Sequence, residues 1–575
     1  MKKLFILLVL AYFIIFFHID YARGQTYEDK YNLNFRIVNN IFHGWTFDAN
    51  NSDIRFNTDT TDINKPIKFL QTERWGFREK MNLNMYSSKN ILLPTLSDSL
   101  LKVKIFYKSN NIKSGKLFVY SLNKRMEISR TDSICLQNND NFREDSLEMK
   151  SKDTRFLFFR LQVVGIDSTY TENKISKIKT TIPHEFSINR IELEIGRRNV
   201  NSLPFEDITA LNLDNAKILT LPPDILLTEK QLSRIFGKIT ALGETVHGSE
   251  KIGWATTEII KSSVLNNHTN LILFEQPLLM MLFFNKYIQG SDAIDDSLIE
   301  ELAKMIIGEA EPIIELTKWL REYNKTAREK VNLGGMDCQY EKNELALFLK
   351  DYLRIINKEA HSSAVDSIIS VLDISDVEKI KNMAKTTLHI IEKKRQELTC
   401  VLGKDMDFIA FYLNNLIEAE VTNKNSYYER DWRMFKNTSF FTDYLCKPNQ
   451  TVVISCHFGH ANYQNINIPF YKSFGYYMKK KYGNDYVCVA QTVYQDTVKA
   501  QVNKELERKM LPLPSSNSLE AVFSKSGVKY GYIDAKEMDE IVKLRMQGSH
   551  HISTSEMEKY INPRSQVQGV IFINQ

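Results

Sequence analysis

The sequence predicts a two-part chain: an all-β sandwich, followed by an α/β domain whose mostly parallel sheet is flanked by helices and carries a helical insertion. Three observations carry that prediction. From about residue 30 to 197, short apolar or alternating runs are broken by Asn, Asp, Ser and Gly clusters, without a long amphipathic helix between them. Beyond that, short apolar runs alternate with long helical patterns, the signature of strand–helix–strand units in a parallel sheet. Between about residues 340 and 447 only helical sequence occurs, as in "DVEKIKNMAKTTLHIIEKKRQEL". At 575 residues the chain is longer than one core usually supports, which agrees with two domains.

The elements follow in order. Lys2 and Lys3 precede "LFILLVLAYFIIFFHI", a stretch too short to span a bilayer comfortably, since a transmembrane helix needs roughly 20 residues. "YARGQ" follows, with Ala22 and Gly24 at the small-residue positions of a cleavage site before Gln25. Residues 1–24 therefore read as a signal peptide. The expectation is an exported protein, periplasmic or extracellular, with no stable membrane insertion after cleavage. Residues 25–200 are expected to form the sandwich, through "LLKVKIFYKS", "GKLFVYSL", "TRFLFFRLQVV" and "FSINRIELEIG". "FHGWTFD" and "RIELEIG" resemble the jelly-roll modules often attached to exported carbohydrate-active enzymes. Such a module either binds sugar or serves as a structural docking domain.

"RRNVNSLPFEDITALNLD" reads as a linker into a second domain over residues 201–575. Its strand candidates are "KITALG" (238–243), "NLILFE" (270–275), "KVNLGGMD" (330–337), "TVVISCH" (451–457), "YVCVAQT" (486–492), "VKYGYIDA" (528–535) and "VQGVIFIN" (567–574). The insertion at about 340–447 separates the third of these from the fourth.

Composition narrows the function. With 75 basic against 70 acidic residues, and no basic stripe, the chain has no nucleic-acid footprint. Six scattered cysteines, without a C-x-x-C, make neither a disulfide scaffold nor a zinc–cysteine site.

The informative residues sit where apolar strands end. "KITALG" runs into Glu244 and His247, "NLILF" ends at Glu275, "VNLGGM" at Asp337, and "TVVISC" at His457, with His460 three residues on. In open parallel sheets the ligand crevice lies beyond the carboxyl ends of the strands, so these residues are expected to share one rim. Glu244 alone would serve as a helix cap, and Asp337 suits an orienting role. No G-x-S-x-G elbow, H-E-x-x-H signature or Gly-rich phosphate loop occurs. Cys456 adjoins His457, but adjacent strand side chains face opposite ways, which disfavours a Cys–His nucleophile. What remains is histidine with carboxylates. A carboxylate orients a histidine as general base for water, and a second histidine, as imidazolium, stabilises an oxyanion or protonates a leaving group. The same residues also suit zinc or manganese. Spacing does not decide between the two; the expectation is chemistry without a cofactor.

With these residues in view, the C-terminal half resembles the erythromycin esterase family, which also contains succinoglycan-biosynthesis-like proteins. The resemblance covers roughly residues 225–500 and is carried by "LGETVHGS", "LILFEQP", "WLREYN" with "VNLGGMDCQ", "ERDWRMFKNTSFF" and "VVISCHFGHAN". It implies that His247 is the general base, that Glu244, Glu275, His457 and His460 complete a metal-independent catalytic cluster, and that an ester or lactone is hydrolysed. The family commonly carries an arginine nine residues after the signature histidine, where this chain has Thr256. A cationic partner is thus missing unless another residue supplies it, and macrolide hydrolysis does not follow from the resemblance. Small-molecule esters, lactones and acylated glycans are the substrate classes to consider. A polysaccharide-modifying enzyme, and a carbohydrate-binding protein with a degenerate catalytic half, are the competing readings.

Overall fold

A computed structural model describes residues 31–574 except 36, 39–40, 43, 48–53, 58–66, 72–81, 88–89, 94–98, 166–184, 203–214, 223, 307–309, 339–347, 373–379, 419–426, 467, 503–504 and 547–557. The expected signal segment, 1–24, lies outside the described residues, as does most of the expected linker. The chain divides into two compact units, Met1–Asn123 with Ile128–Glu206, and Lys124–Glu127 with Asp207–Gln575.

The first unit is built from two antiparallel sheets. One orders Ile128–Leu136, Ile112–Leu122, Phe156–Gly165, Asn82–Ser87 and Trp45–Phe47. The other orders Asn139–Lys150, Leu100–Asn110, Glu185–Ile195, Ile67–Gln71 and Ile54–Asn57. In Leu100–Asn110 every second residue is buried, so Leu101, Val103, Ile105 and Tyr107 enter the core while Lys102 and Lys104 face outward. Leu117, Val119, Leu157, Phe159, Leu161 and Val163 of the other sheet belong to the same core, which makes the unit a β-sandwich.

The second unit is a sheet covered by helices. We label its strands β1 (Ile239–Glu244), β2 (Thr269–Pro277), β3 (Asn332–Asp337), β4 (Thr451–His457), β5 (Tyr486–Val493), β6 (Tyr530–Asp534) and β7 (Gly569–Ile573). The sheet order is Leu219–Thr220, β6, β7, β5, β1, β4, β2, β3. From β7 to β3 all neighbours are parallel, whereas β6 runs antiparallel to β7. The parallel strands are apolar on both faces because helices cover both sides.

Helix α1 (Glu250–Asn266) crosses from β1 to β2, burying Ile252, Ala255, Thr256, Ile259, Ile260 and Ser263 along one stripe. Between β3 and β4 the described residues form helices only, from Lys350–Ala360 to the last, α2 (Tyr427–Leu445). One topological feature positions the site. The fourth strand in sequence lies between the first two in space, pairing Glu244 with His457 on one side and Phe274 with Ser455 on the other.

Candidate active site

The first pair of polar residues is delivered by a short turn. β1 ends at Glu244, and His247 returns so that its Nδ1 lies 2.5 Å from Glu244 Oε1. Two glycines permit this path. A Cβ on Gly243 would lie 3.1 Å from the backbone of Phe458, and Gly248 adopts φ +71°, with Lys499 O 2.7 Å from where its Cβ would stand. Ser249, not Glu244, caps α1: its Oγ accepts from the Ile252 N–H at 3.2 Å. Glu244 is thereby left to the histidine.

The neighbouring strands bring the rest. His457 ends β4, and its ring stacks on that of His247 with centroids 4.2 Å apart. The His457 backbone N–H donates to Glu275 Oε2 at 2.7 Å. A one-turn helix, α3 (Phe458–Ala461), then carries His460, whose Nε2 lies 3.5 Å from Glu275 Oε1. Glu244, His247, Glu275, His457 and His460 therefore form one contiguous cluster, and all five come from the carboxyl ends of β1, β2 and β4.

Arginine 430, near the start of α2, joins the cluster. It donates through Nη2 to Glu275 Oε1 (2.7 Å) and Asp337 Oδ2 (3.0 Å), through Nε to Asp337 Oδ1 (2.9 Å), and through Nη1 to His460 Nε2 (3.1 Å). The next residue, Asp431, accepts from His460 Nδ1 at 2.9 Å and from the Phe474 N–H at 2.7 Å. Arg430 and Asp431 were not singled out from the sequence, where they read as charged residues on an ordinary helix. The available signal was an adjacent Arg–Asp pair in the block "ERDWRMFKNTSFF". Asp337 has the orienting place expected of it, holding the guanidinium in a two-point grip.

Arg430 also answers the missing cation. Thr256 is buried and gives its hydroxyl to Gln491 Oε1 at 3.0 Å, on the β5 residue paired with Glu244. A guanidinium nevertheless reaches the cluster, from the insertion rather than from α1.

The electrostatics follow from these contacts. Burial opposes ionisation of Glu275, yet His460, Arg430, His247 and His457 together hold its pKa far below the carboxylate range. Burial likewise opposes the Arg430 charge, and Asp337 and Glu275 outweigh it, raising its pKa further. Desolvation works against protonation of His247, but the Glu244 hydrogen bond and the charges of Glu244 and Glu275 raise its pKa overall. For His460, burial and Arg430 lower the proton affinity while Asp431 and Glu275 raise it, with a net upward direction. Its hydrogen bonds are nonetheless those of the neutral ring, since the Arg430 contact requires a lone pair on Nε2 and leaves the proton on Nδ1 facing Asp431.

The tautomer of His457 is set by a backbone contact. Its Nδ1 accepts from the Gly459 N–H at 3.2 Å, so the ring proton belongs on Nε2 and the ring is a neutral donor. The Cys456 thiol is buried, and desolvation pushes its pKa well above normal, so it does not supply a thiolate. Among the described residues no group of three or more His, Cys, Asp and Glu side chains is arranged to hold a metal ion. At the centre of Glu275, Asp337 and His460 stands the Arg430 guanidinium.

No curated protein matches the chain. Among solved structures, a Bacillus cereus protein is 17% identical, with TM-score 0.48, over 63% of this chain and 95% of its own. A mutant erythromycin esterase in its open conformation is 14% identical, with TM-score 0.40, over 59% of this chain and 90% of its own. A carbohydrate-binding module solved with β-1,4-galactotriose is 10% identical, with TM-score 0.20, over 29% of this chain and 97% of its own. The family model described as erythromycin esterase matches residues 268–575, more than half of the chain. That span contains Glu275, Asp337, Arg430, His457 and His460, while Glu244 and His247 precede it. The chain therefore belongs to the erythromycin esterase family of hydrolases.

Proposed function

We propose that the protein is an exported hydrolase that opens an ester or lactone with water activated by His247. The observation that carries this reading is the 2.5 Å contact between Glu244 Oε1 and His247 Nδ1, inside a cluster at the strand ends. With its Nδ1–H given to Glu244, His247 keeps the Nε2 lone pair for a water proton. The resulting hydroxide adds to the carbonyl carbon, and the tetrahedral oxyanion accepts from His457 Nε2–H. Collapse breaks the carbon–oxygen bond, and the proton held by His247 passes to the departing alkoxide. One water is consumed, giving an acid and an alcohol, or a hydroxy acid from a lactone. Arg430 serves a different purpose. Four hydrogen bonds tie it to Glu275, Asp337 and His460, so it fixes the cluster.

The substrate classes are small-molecule esters or lactones and acylated glycans, with macrolides among the compounds to try. The decisive experiment is a panel of these, comparing wild type with His247→Ala. Turnover by wild type that His247→Ala abolishes is expected. Absence of turnover across the panel, or equal activity in the variant, overturns the reading. Export is tested by fractionating cells that express the full chain; mature protein beginning at Gln25 outside the cytoplasm is expected.

A further inference from the structure

The turn that carries His247 has no regular structure of its own between Glu244 and α1, so something outside must fix it. Besides the His247 contacts with Glu244 and His457, its ties among the described residues include a set from β5 and the segment just after it. The Thr245 N–H donates to Gln491 O at 2.9 Å, and the Thr245 hydroxyl donates to Thr492 Oγ1 at 3.1 Å. A hydroxyl has one proton, so the Thr492 proton goes onward, to Glu520 Oε1 at 2.6 Å. Glu520 lies at the start of helix α4 (Leu519–Lys525), is fully buried, and also accepts from the Arg545 N–H at 2.8 Å. Thr245 is adjacent to Glu244 along the extended chain, so its side chain leaves on the opposite side. The base turn is therefore tied through the sheet to a carboxyl group behind it.

At its other end the turn is tied again. Lys499 N–H donates to Gly248 O at 3.1 Å. Buried Asp496 accepts through Oδ2 from the Ser249 hydroxyl at 2.5 Å and from the Lys251 N–H at 3.2 Å. Because the Ser249 proton goes to Asp496, its lone pairs are left to cap α1 through the Ile252 N–H. Neither Asp496 nor Glu520 touches a residue of the catalytic cluster directly.

We propose that Asp496 and Glu520 are positioning residues that hold the His247 turn from its two ends, keeping His247 over Glu244. This rests on the hydrolase reading for its kinetic consequence, though not for its geometry. Fully satisfied buried hydrogen-bond networks rigidify the groups they join, and a misplacement of about 1 Å at a reacting group can cost on the order of 10²-fold in rate.

The test uses the full chain, with p-nitrophenyl acetate as the kinetic probe and the imidazole NMR titration of His247 as the structural one. Thr492→Val removes the linking hydroxyl, and Asp496→Ala removes the second anchor. Each is expected to lower kcat on the order of 10- to 100-fold while KM stays unchanged. Glu520→Gln keeps the Oε1 acceptor in place and is expected to stay near wild type. In Thr492→Val and Asp496→Ala the His247 titration should move to lower pH, because His247 draws away from Glu244. The other groups facing it, Glu275, His457 and His460, are unaltered in both variants. A lower melting temperature with wild-type kcat and an unmoved His247 titration overturns the proposal, leaving these residues merely structural. If wild type does not turn over p-nitrophenyl acetate, the hydrolase reading suffers, while the His247 titration in the same variants still decides the positioning role.

Discussion

At the residue scale, the charges and tautomers of the cluster are set by the partners of its polar groups. Glu244 raises the His247 pKa, so Glu244→Gln is expected to lower it. The rising limb of the pH–rate profile then shifts to more acidic pH, while the maximal kcat falls about 10-fold because a weaker base takes the water proton. A kcat–pH profile of the two proteins checks this. Arg430 is the hub of the remaining charges. Arg430→Met would leave Glu275 and Asp337 buried without their cation and is expected to cost about 3–5 kcal/mol, read by urea denaturation. Arg430→Lys should recover little, since a lysine cannot grip Asp337 at two points. The strand-end residues were visible in the sequence because a histidine or glutamate closing an apolar run breaks the local pattern. Arg430 was not visible, because a charged residue on a helix looks the same whether it faces water or a buried carboxylate.

Elements were legible to the extent that their periodicity was local. The seven apolar runs read as strands are all strands, because a continuous apolar segment bounded by polar turns has few other uses in a covered sheet. Their spatial order was not legible: nothing in "TVVISCH" states that it inserts between β1 and β2. In the proposed mechanism the turn after β1 carries the base. Gly248 takes φ +71°, and a methyl group there would press on Lys499 O. Gly248→Ala is expected to cost roughly 1–3 kcal/mol and to lower kcat by displacing His247. Denaturation and steady-state kinetics on the same preparation test both effects, and an undisturbed melting temperature would count against the strain.

At the scale of the whole molecule, the buried charges make stability depend on pH in a defined direction. Glu275 has a depressed pKa in the folded state, so its contribution is full above the ordinary carboxylate range near about 4.3 and is lost as pH falls below it. His247 has a raised folded pKa, so its contribution is full below about 6.5 and is lost as pH rises through the folded value. Maximal stability from this pair is expected between those limits. Calorimetric melting across pH measures it, and His247→Asn should reduce the alkaline limb to the part His460 contributes and weaken the acid limb, because His247 helps depress the Glu275 pKa. What the sequence determined by itself was the grammar: a β-sandwich, an α/β unit with a helical insertion, and polar residues placed at strand ends. Those follow from hydrophobic periodicity, which acts over a few residues and is written locally. What only the tertiary structure decided was convergence. β4 lies between β1 and β2, so His457 meets Glu244 and Glu275, and the insertion returns Arg430 to Glu275 across 155 residues of sequence. Such meetings depend on sheet order and helix packing, which are set by the sum of many long-range contacts and leave no periodic trace in the chain.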